Sequence, residues 1–543
     1  MAQRAQQQNE GLPFPEEFKV FALEQSKGLN TKDARSAIDD QETSWQENFI
    51  RIGNGNLRTL WDVGGAVYTA PANKTIVSFF PFNIGSTNYI AAFLNDGTAD
   101  QVNLGTLAVT QMSTTANTFF IAGGQRPSAA QWGSSGIIVA STAQANGYWA
   151  WDEASGGTLY SPGGSSPSWL NGGSATTMPT GLSGSSIETF QSRVWVFNDT
   201  NGVGTFSAPS NGANFSTSAG GGTFTSSDSF LRVGFHAVKQ ANGYLYPFGD
   251  SSIQVISNVQ TAGSPPTTTF NNNNTDPQSG TPWRDSVQAY GRALVFANPT
   301  GIYGLFGSTA EKLSEKLDGI FATAILPTSG TSIPSAAVAT IYSLKVYLLL
   351  VTIIDPFTGQ PRNVLLCWDG KTFFIASQSK NLTYIATQEV NSQPVAWGTD
   401  GTTIFQLFAT PSSSLKKILQ TKLWAGSGFI VIKQALRVFT QANDNSGQGF
   451  SISASIDTDV NSGAVTISGL ASVTWINNSA QTVGWQNNAS QTVTWGSTGG
   501  AISGANVDSV YGRLLGLTLT STSPDFTLVT AALGYRDYAP YGA

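Results

Sequence analysis

The first sustained apolar pattern in the chain lies near its start. Ala34, Ala37, Ile38, Trp45 and Phe49 fall on one face of a 3.6-residue period. Thr31 can cap the start, with Lys32, Asp33 and Ala34 in the first turn, so the pattern predicts a helix over 31–48, broken by Gly53-Asn54-Gly55-Asn56. Residues 1–15 read as a polar arm ending in Pro13-Phe14-Pro15. From about residue 75 onward the pattern changes to short alternating or fully apolar runs between Gly, Asn and Ser turns, which predicts strands.

The turns recur. Glycines that follow an apolar run stand at Gly97, Gly147, Gly202, Gly249, Gly301, Gly359 and Gly401, separated by 50, 55, 47, 52, 58 and 42 residues. Their flanks are alike: Val194-Trp195-Val196-Phe197 precedes one turn, Tyr244-Leu245-Tyr246-Pro247-Phe248 the next and Ala293-Leu294-Val295-Phe296-Ala297 the one after. A unit of about 50 residues with several strands has the length of a four-stranded propeller blade, whose two apolar faces are buried by its neighbours. Six units are regular between 137 and 408 and the Gly97 unit is less so, giving an expected all-β fold with a six-bladed β-propeller. A series of sandwiches with evenly spaced turns is the competing reading.

After Leu415 the alternation becomes strict, as in Phe450-Ser451-Ile452-Ser453-Ala454-Ser455-Ile456, and predicts an antiparallel β-sandwich or platform. Within it Val473-Thr474-Trp475, Val483-Gly484-Trp485 and Val493-Thr494-Trp495 repeat every ten residues. Trp475, Trp485 and Trp495 are candidate interface residues, since Trp is enriched at subunit contacts; packing on their own sheet is the alternative. The expected organisation is therefore 1–70 (arm and helix), 71–415 (propeller) and 416–543 (platform).

Composition narrows the function. Charged residues are 11% of 543, the net charge is −6, and 40% of residues are hydrophobic, which excludes wholesale disorder and a basic duplex-gripping surface. A single cysteine, Cys367, permits no intrachain disulfide, and a single histidine, His236, permits no multi-histidine zinc site or histidine relay. The longest apolar run, 346–354, is far short of a bilayer span, and the start lacks a secretory apolar segment, so a cytoplasmic site of synthesis and no membrane insertion are expected.

Candidate chemistry is sparse. His236 sits in the strand-like Val233-Gly234-Phe235-His236-Ala237-Val238 and Cys367 in the apolar Val364-Leu365-Leu366-Cys367-Trp368, both readings of packed residues. The carboxylate pairs Asp457/Asp459 and Asp39/Asp40 are the remaining hydrolytic option, without the cleft such chemistry needs being legible. Asp457-Thr458-Asp459 lacks the rest of a calcium loop, and Gly220-Gly221-Gly222 is not followed by Lys-Ser/Thr. No catalytic residue, metal or cofactor is expected.

One stretch carries a resemblance. Gly28-Leu29-Asn30-Thr31, the acidic Asp39-Asp40-Gln41-Glu42, Asn48-Phe49 and Gly55-Asn56-Leu57-Arg58-Thr59-Leu60 together resemble the N-terminal signature of the tail nozzle (tail tubular protein B-like) proteins of short-tailed bacteriophages. It covers about 40 residues, and the final glycine is displaced to Gly64-Gly65. The resemblance implies a propeller combined with a β-rich platform and a homo-hexameric ring whose lumen conducts phage DNA during ejection without specific binding. It further implies a virion tail location after assembly in a bacterial cytoplasm, and partners in the adaptor (head-to-tail connector) and tail fibres. The charged 1–65 segment is then the expected docking surface toward the adaptor, with Trp45 and Phe49 as interface candidates. A glycan-binding tail fibre or spike-like protein, or a depolymerase, is the alternative. A propeller hydrolase of sialidase type is a third, opposed by the lack of a Ser-x-Asp-x-Gly-x-Thr-Trp box.

Overall fold

The computed structural model describes residues 19–153, 156–226, 228, 231, 233–276, 279–327, 334–447, 449–469, 475–476, 482–483, 485–486, 492–493 and 501–540. It divides into two units: residues 61–410, and 1–60 together with 411–543.

Residues 61–410 form a β-propeller. Its first strands are Ile76–Ile84, Ser128–Trp132, Ser186–Phe190, Ala237–Ala241, Gln288–Tyr290, Ser335–Ile341 and Tyr384–Val390, blades 1 to 7 in that order. Each first strand touches the next, and Tyr384–Val390 touches Ile76–Ile84, so the circle closes. Every blade is a four-stranded antiparallel meander, blade 7 taking its outer strand, Ala66–Thr69, from the start of the unit. The number of blades is thus seven, not six. The Gly97 unit is blade 1, its lower regularity notwithstanding, because Phe82, Phe93 and Ala99 supply the apolar faces a blade must stack.

The middle strands are apolar on both sides for that reason. In blade 2, Ile137, Val139, Trp149 and Trp151 pack on blade 1, while Ile138, Ala140, Tyr148 and Ala150 pack on blade 3. Burying both faces of a sheet in this way replaces alternation with continuous apolar runs. Six of the seven recurrent glycines lie between the second and third strands of successive blades, and Gly301 opens the third strand of blade 5. Several of these turns are built alike: Asp96, Asn198, Asn298 and Asp400 each accept hydrogen bonds from the backbone N–H and hydroxyl of the Thr two residues on. Such Asx turns fix the reversal locally. Gly97, at φ +83°, also leaves room for the Phe120 carbonyl, 2.3 Å from where a Cβ would sit.

The second unit is a β-sandwich. One layer runs Thr43–Glu47, Lys417–Thr421, Leu515–Ser521, Phe450–Thr458, Gly463–Gly469; the other runs Phe49–Ile52, Asn56–Thr59, Phe526–Pro540, Val431–Asp444, Ala501–Gly512, with Lys19–Leu23 also paired to Phe526–Pro540. Phe450, Ile452, Ala454 and Ile456 point inward with Val438, Leu517, Leu519 and Leu533, and Ser451 and Ser453 point outward.

The expected helix over 31–48 does not form. Asn30 Oδ1 takes the N–H groups of Lys32 and Asp33, and Asp39 Oδ1 takes that of Gln41, local bonds that compete with helical ones. Thr43–Glu47 instead pairs with Lys417–Thr421, a tertiary contact that overrides helical periodicity. Among the described residues the one α-helix is Asp318–Thr323. No helix is long and apolar enough to cross a membrane among the described residues. Nor is residues 1–70 a separate body: its described strands up to Asn56–Thr59 belong to the sandwich, and Ala66–Thr69 to the propeller.

Candidate functional site

The first strand of a propeller blade has one ladder edge facing the axis, where its backbone groups lack a strand partner. Side chains of neighbouring blades supply the missing bonds. Ser128 Oγ accepts the Ile187 N–H at 3.2 Å, Ser186 Oγ that of Val238 at 3.0 Å, and Ser335 Oγ that of Ile385 at 3.1 Å. Thr387 Oγ1 accepts from the Val338 N–H at 2.6 Å, and Gln288 Nε2 donates to the Ala336 carbonyl at 2.9 Å. Gln131 and the Asn83 backbone exchange two bonds, Gln388 Nε2 donates to Phe82 O, and Asn242 Nδ2 donates to Arg292 O. All seven blade junctions therefore carry a side-chain-to-backbone bridge.

At the end where the first strands begin, the axis is crossed by Arg284. It precedes the first strand of blade 5, and its Nη1 donates to the carbonyls of Arg126 and Ser185, both at 2.7 Å, with Nη2 3.3 Å from Pro127 O. Those carbonyls belong to blades 2 and 3, on the far side of the ring. Nε and Nη2 also hold the Asp285 carboxylate at 2.8 and 3.1 Å. Burial alone would push the Asp285 carboxyl up, but Arg284, with Arg126 3.8 Å away, holds it below the usual carboxylate range. Arg126 lies over the Tyr384 ring at 4.9 Å, and burial raises the Tyr384 phenol well out of reach of titration near neutrality. The hub is thus plugged at this end by a buried ionic cluster of two guanidiniums around one carboxylate.

Along the first strands lies a cavity of about 280 Å³, to which six of the blades contribute; Ser78, Ser128, Ser186, Lys239, Phe80 and Thr387 are among its walls, and Arg284 and Asp285 also line it. Lys239 Nζ stands 3.6 Å from Glu188 Oε2. None of these hub residues was foreseen from the chain. The available signals were polar Ser at the head of an apolar strand (Ser128, Ser186, Ser335) and the pairs Arg126-Pro127 and Arg284-Asp285, conspicuous in so uncharged a sequence.

The residues that were foreseen are placed elsewhere. His236 Nε2 lies 3.2 Å from Asp250 Oδ1, and Cys367 is fully buried, which pushes its thiol up. Asp457 is bound by Arg35 at 2.7 Å and Asp459 by Arg513 at 2.6 Å; Asp39 pairs with Lys27 and Asp40 with Lys422. Neither carboxylate pair forms a shared site. Trp45 and Phe49 are 5% and 2% exposed, so both are core side chains of the sandwich unit rather than candidate contacts. Trp475–Ile476 pairs with Thr482–Val483 and Trp485–Gln486 with Thr492–Val493, successive hairpins that reproduce the ten-residue period. Trp495, and the side chains of Trp475 and Trp485, lie outside the described residues. Among the described residues no three His, Cys, Asp or Glu are grouped to hold a metal.

The Gly28–Leu60 stretch builds the inner frame of the sandwich. Thr43 N–H and Oγ1 both donate to Gly28 O, Asn30 Nδ2 donates to Glu42 Oε2 at 2.8 Å, and Asn48, at φ 59°, sends Nδ2 to Lys416 O at 2.7 Å. Arg58 grips Asp525 through Nε at 3.2 Å and Nη2 at 2.8 Å, while Thr59 Oγ1 both donates to Phe526 O and accepts its N–H.

No protein-family model and no curated protein matches the chain. Among solved structures it is similar to BBS1N in complex with ARL6DN, with 8% identity over 65% of this chain and 98% of that one and a TM-score of 0.38. It is similar to Chaetomium thermophilum Raptor, with 10% identity over 64% of this chain and 29% of that one and a TM-score of 0.38. It is also similar to Trypanosoma rangeli sialidase, with 10% identity over 97% of both chains and a TM-score of 0.29.

Proposed function

We propose that this chain is a structural, non-catalytic ring subunit, a tail nozzle of a short-tailed bacteriophage, whose homo-hexamer lets DNA pass. The observation that carries the reading is the placement of the resembling stretch. Gly28, Asn30, Glu42, Asn48, Arg58 and Thr59 are tied together as the polar frame of the sandwich, so the likeness rests on residues that specify a fold.

Two further features support it. Arg284 and Asp285 block the propeller axis, so a passage for DNA lies between copies and not through one propeller. The 61–410 unit holds 13 Lys or Arg against 18 Asp or Glu, which disfavours the counterion release that makes DNA stick. A ring built from one chain needs a heterologous contact that closes on itself. Adaptor and tail fibres are its neighbours in this proposal, the virion tail its location.

Native mass spectrometry with negative-stain imaging of the purified chain tests the reading. Closed rings of six copies of the 57.2 kDa chain are expected. A trimer that binds or cleaves glycan, or a chain that stays monomeric at high concentration, refutes it.

A further inference from the structure

We infer that the guanidinium of Arg126, at the mouth of the propeller hub, is the binding site for one small oxyanion, a carboxylate or a phosphate group. The site does not depend on the ring assembly.

Arg126 precedes the first strand of blade 2, at the end of the axis where the first strands begin. Its side chain is only 9% exposed. A guanidinium carries several N–H donors, and one taken out of water needs acceptors for them. Among the described residues Arg126 side-chain nitrogens donate to none. Asp285 Oδ2 stands 3.8 Å from its Nη1, beyond hydrogen-bond reach, and both Asp285 oxygens are already held by Arg284, at 2.8 and 3.1 Å. The face of the Tyr384 ring, 4.9 Å away, supports the guanidinium and takes no N–H in the plane of the fork. Arg51 Nε is an unpartnered nitrogen sealed from solvent; no Arg126 nitrogen is of that kind, so its unspent donors can be reached. Pro127, Arg284 and Tyr384 line the axial cavity and Arg126 does not, which puts its opening on the outer side of the plug.

Charge sets the class of ligand. Two guanidiniums share one carboxylate, which leaves a positive charge in a buried setting. Asp199, on the turn between the second and third strands of blade 3, accepts a bond from Gln125 and acts on Arg284 rather than on Arg126, so it leaves the Arg126 charge uncompensated. Burial lowers the Arg126 pKa without removing the charge, since arginine is not deprotonated in proteins. The planar fork matches two oxygens of a carboxylate or phosphate and forms charge-assisted bonds to them. An opening onto so small a part of the side chain suits one such group and not the broad face of a polymer.

The test uses the full chain and two probes, acetate and inorganic phosphate, each titrated against chloride at constant ionic strength. Binding is read by calorimetry and by the melting temperature. Saturable binding of at least one probe is expected; saturation by acetate marks a carboxylate site, and saturation by phosphate alone marks a phosphate site. Arg126→Met is the informative variant, because it removes the fork without breaking a side-chain hydrogen bond within the protein, and it is expected to weaken binding by roughly tenfold or more. Arg126→Lys keeps the charge beside Asp285 and loses the fork; it decides the matter should Arg126→Met fail to fold, with an expected loss of roughly three- to tenfold. Absence of saturable binding by both probes overturns the inference, the open nitrogens then holding water only. Binding that neither substitution weakens overturns it too, by placing the anion elsewhere. Both results leave the oligomeric state, and hence the nozzle proposal, untouched.

Discussion

Replacing Arg284 by Met removes a guanidinium that crosses the propeller axis while keeping much of its volume. The substitution leaves the carbonyls of Arg126, Pro127 and Ser185 without their donor and strands the Asp285 carboxylate in a buried site. Breaking a buried ion pair by deleting one partner costs about 3–5 kcal/mol, chiefly through the charge left behind. Arg126, 3.8 Å from Asp285, compensates only in part, which puts the expected loss near the lower end of that range. In the parent protein Asp285 is depressed below its unfolded value, so its contribution is present above about pH 4 and is lost as pH falls through the folded pKa. In Arg284→Met the sign reverses: burial without Arg284 raises the carboxyl, and protonating it relieves the penalty. Urea unfolding of the full chain, followed by tryptophan fluorescence at pH 7.5 and pH 5, reads both effects. The gap between parent and variant is expected to narrow by more than about 1 kcal/mol at the lower pH, and Arg284→Met/Asp285→Asn to recover a similar amount at pH 7.5. A loss under about 1 kcal/mol at pH 7.5, or a gap that ignores both pH and Asp285→Asn, would refute the description of the hub as a plug held by the buried Arg284–Asp285 ion pair.

Other consequences are accessible to the same measurements. Gly97→Ala, with φ +83° and the Phe120 carbonyl 2.3 Å from the new Cβ, is expected to cost over about 2 kcal/mol. Gly85→Ala, at φ +59° with open space around it, costs about 1 kcal/mol and serves as the control; equal costs contradict the steric argument. Ser335→Ala should lower stability by about 1 kcal/mol and speed hydrogen exchange at Ile385, whose N–H it leaves bare; unchanged exchange counts against the inter-blade bridge. Deleting residues 1–18 stops short of the first platform strand, whereas deleting 1–30 removes Leu23 from the core and Phe21 from its stack on Tyr535 at 4.2 Å. Limited proteolysis should find the first product resistant and the second cleaved, and equal resistance would contradict the pairing of Lys19–Leu23.

The blade repeat was legible because burying both faces of every sheet forces an apolar run, a turn and another apolar run at each step. Gly97 through Gly401 mark those steps one by one, the least regular included. The platform's alternation was legible for the complementary reason that Ser451 and Ser453 face out while Ile452 and Ala454 face in. The 31–48 segment misled because its apolar spacing fits a helix equally well. What decides its conformation is Lys417–Thr421, nearly four hundred residues away and invisible to a local window. The hub escaped for a similar reason: a serine that bonds the next blade differs in no local respect from a serine in a turn.

Both units are fastened by their two ends. Ala66–Thr69 finds its partner at Thr403–Gln406, Lys19–Leu23 finds its partner in Phe526–Pro540, and the Phe49–Ile52/Asn56–Thr59 hairpin joins the rest of its sheet through the same strand. During synthesis these segments must therefore wait for their distant partners until residues roughly 340 to 510 positions further on have left the ribosome. Contacts of such long range are slow to form, because the loop entropy is lost before the bonds are gained. A chain that stops before Phe526 leaves Leu23, Leu57 and Arg58 without their destinations, so the platform's opening strands have no sheet to complete.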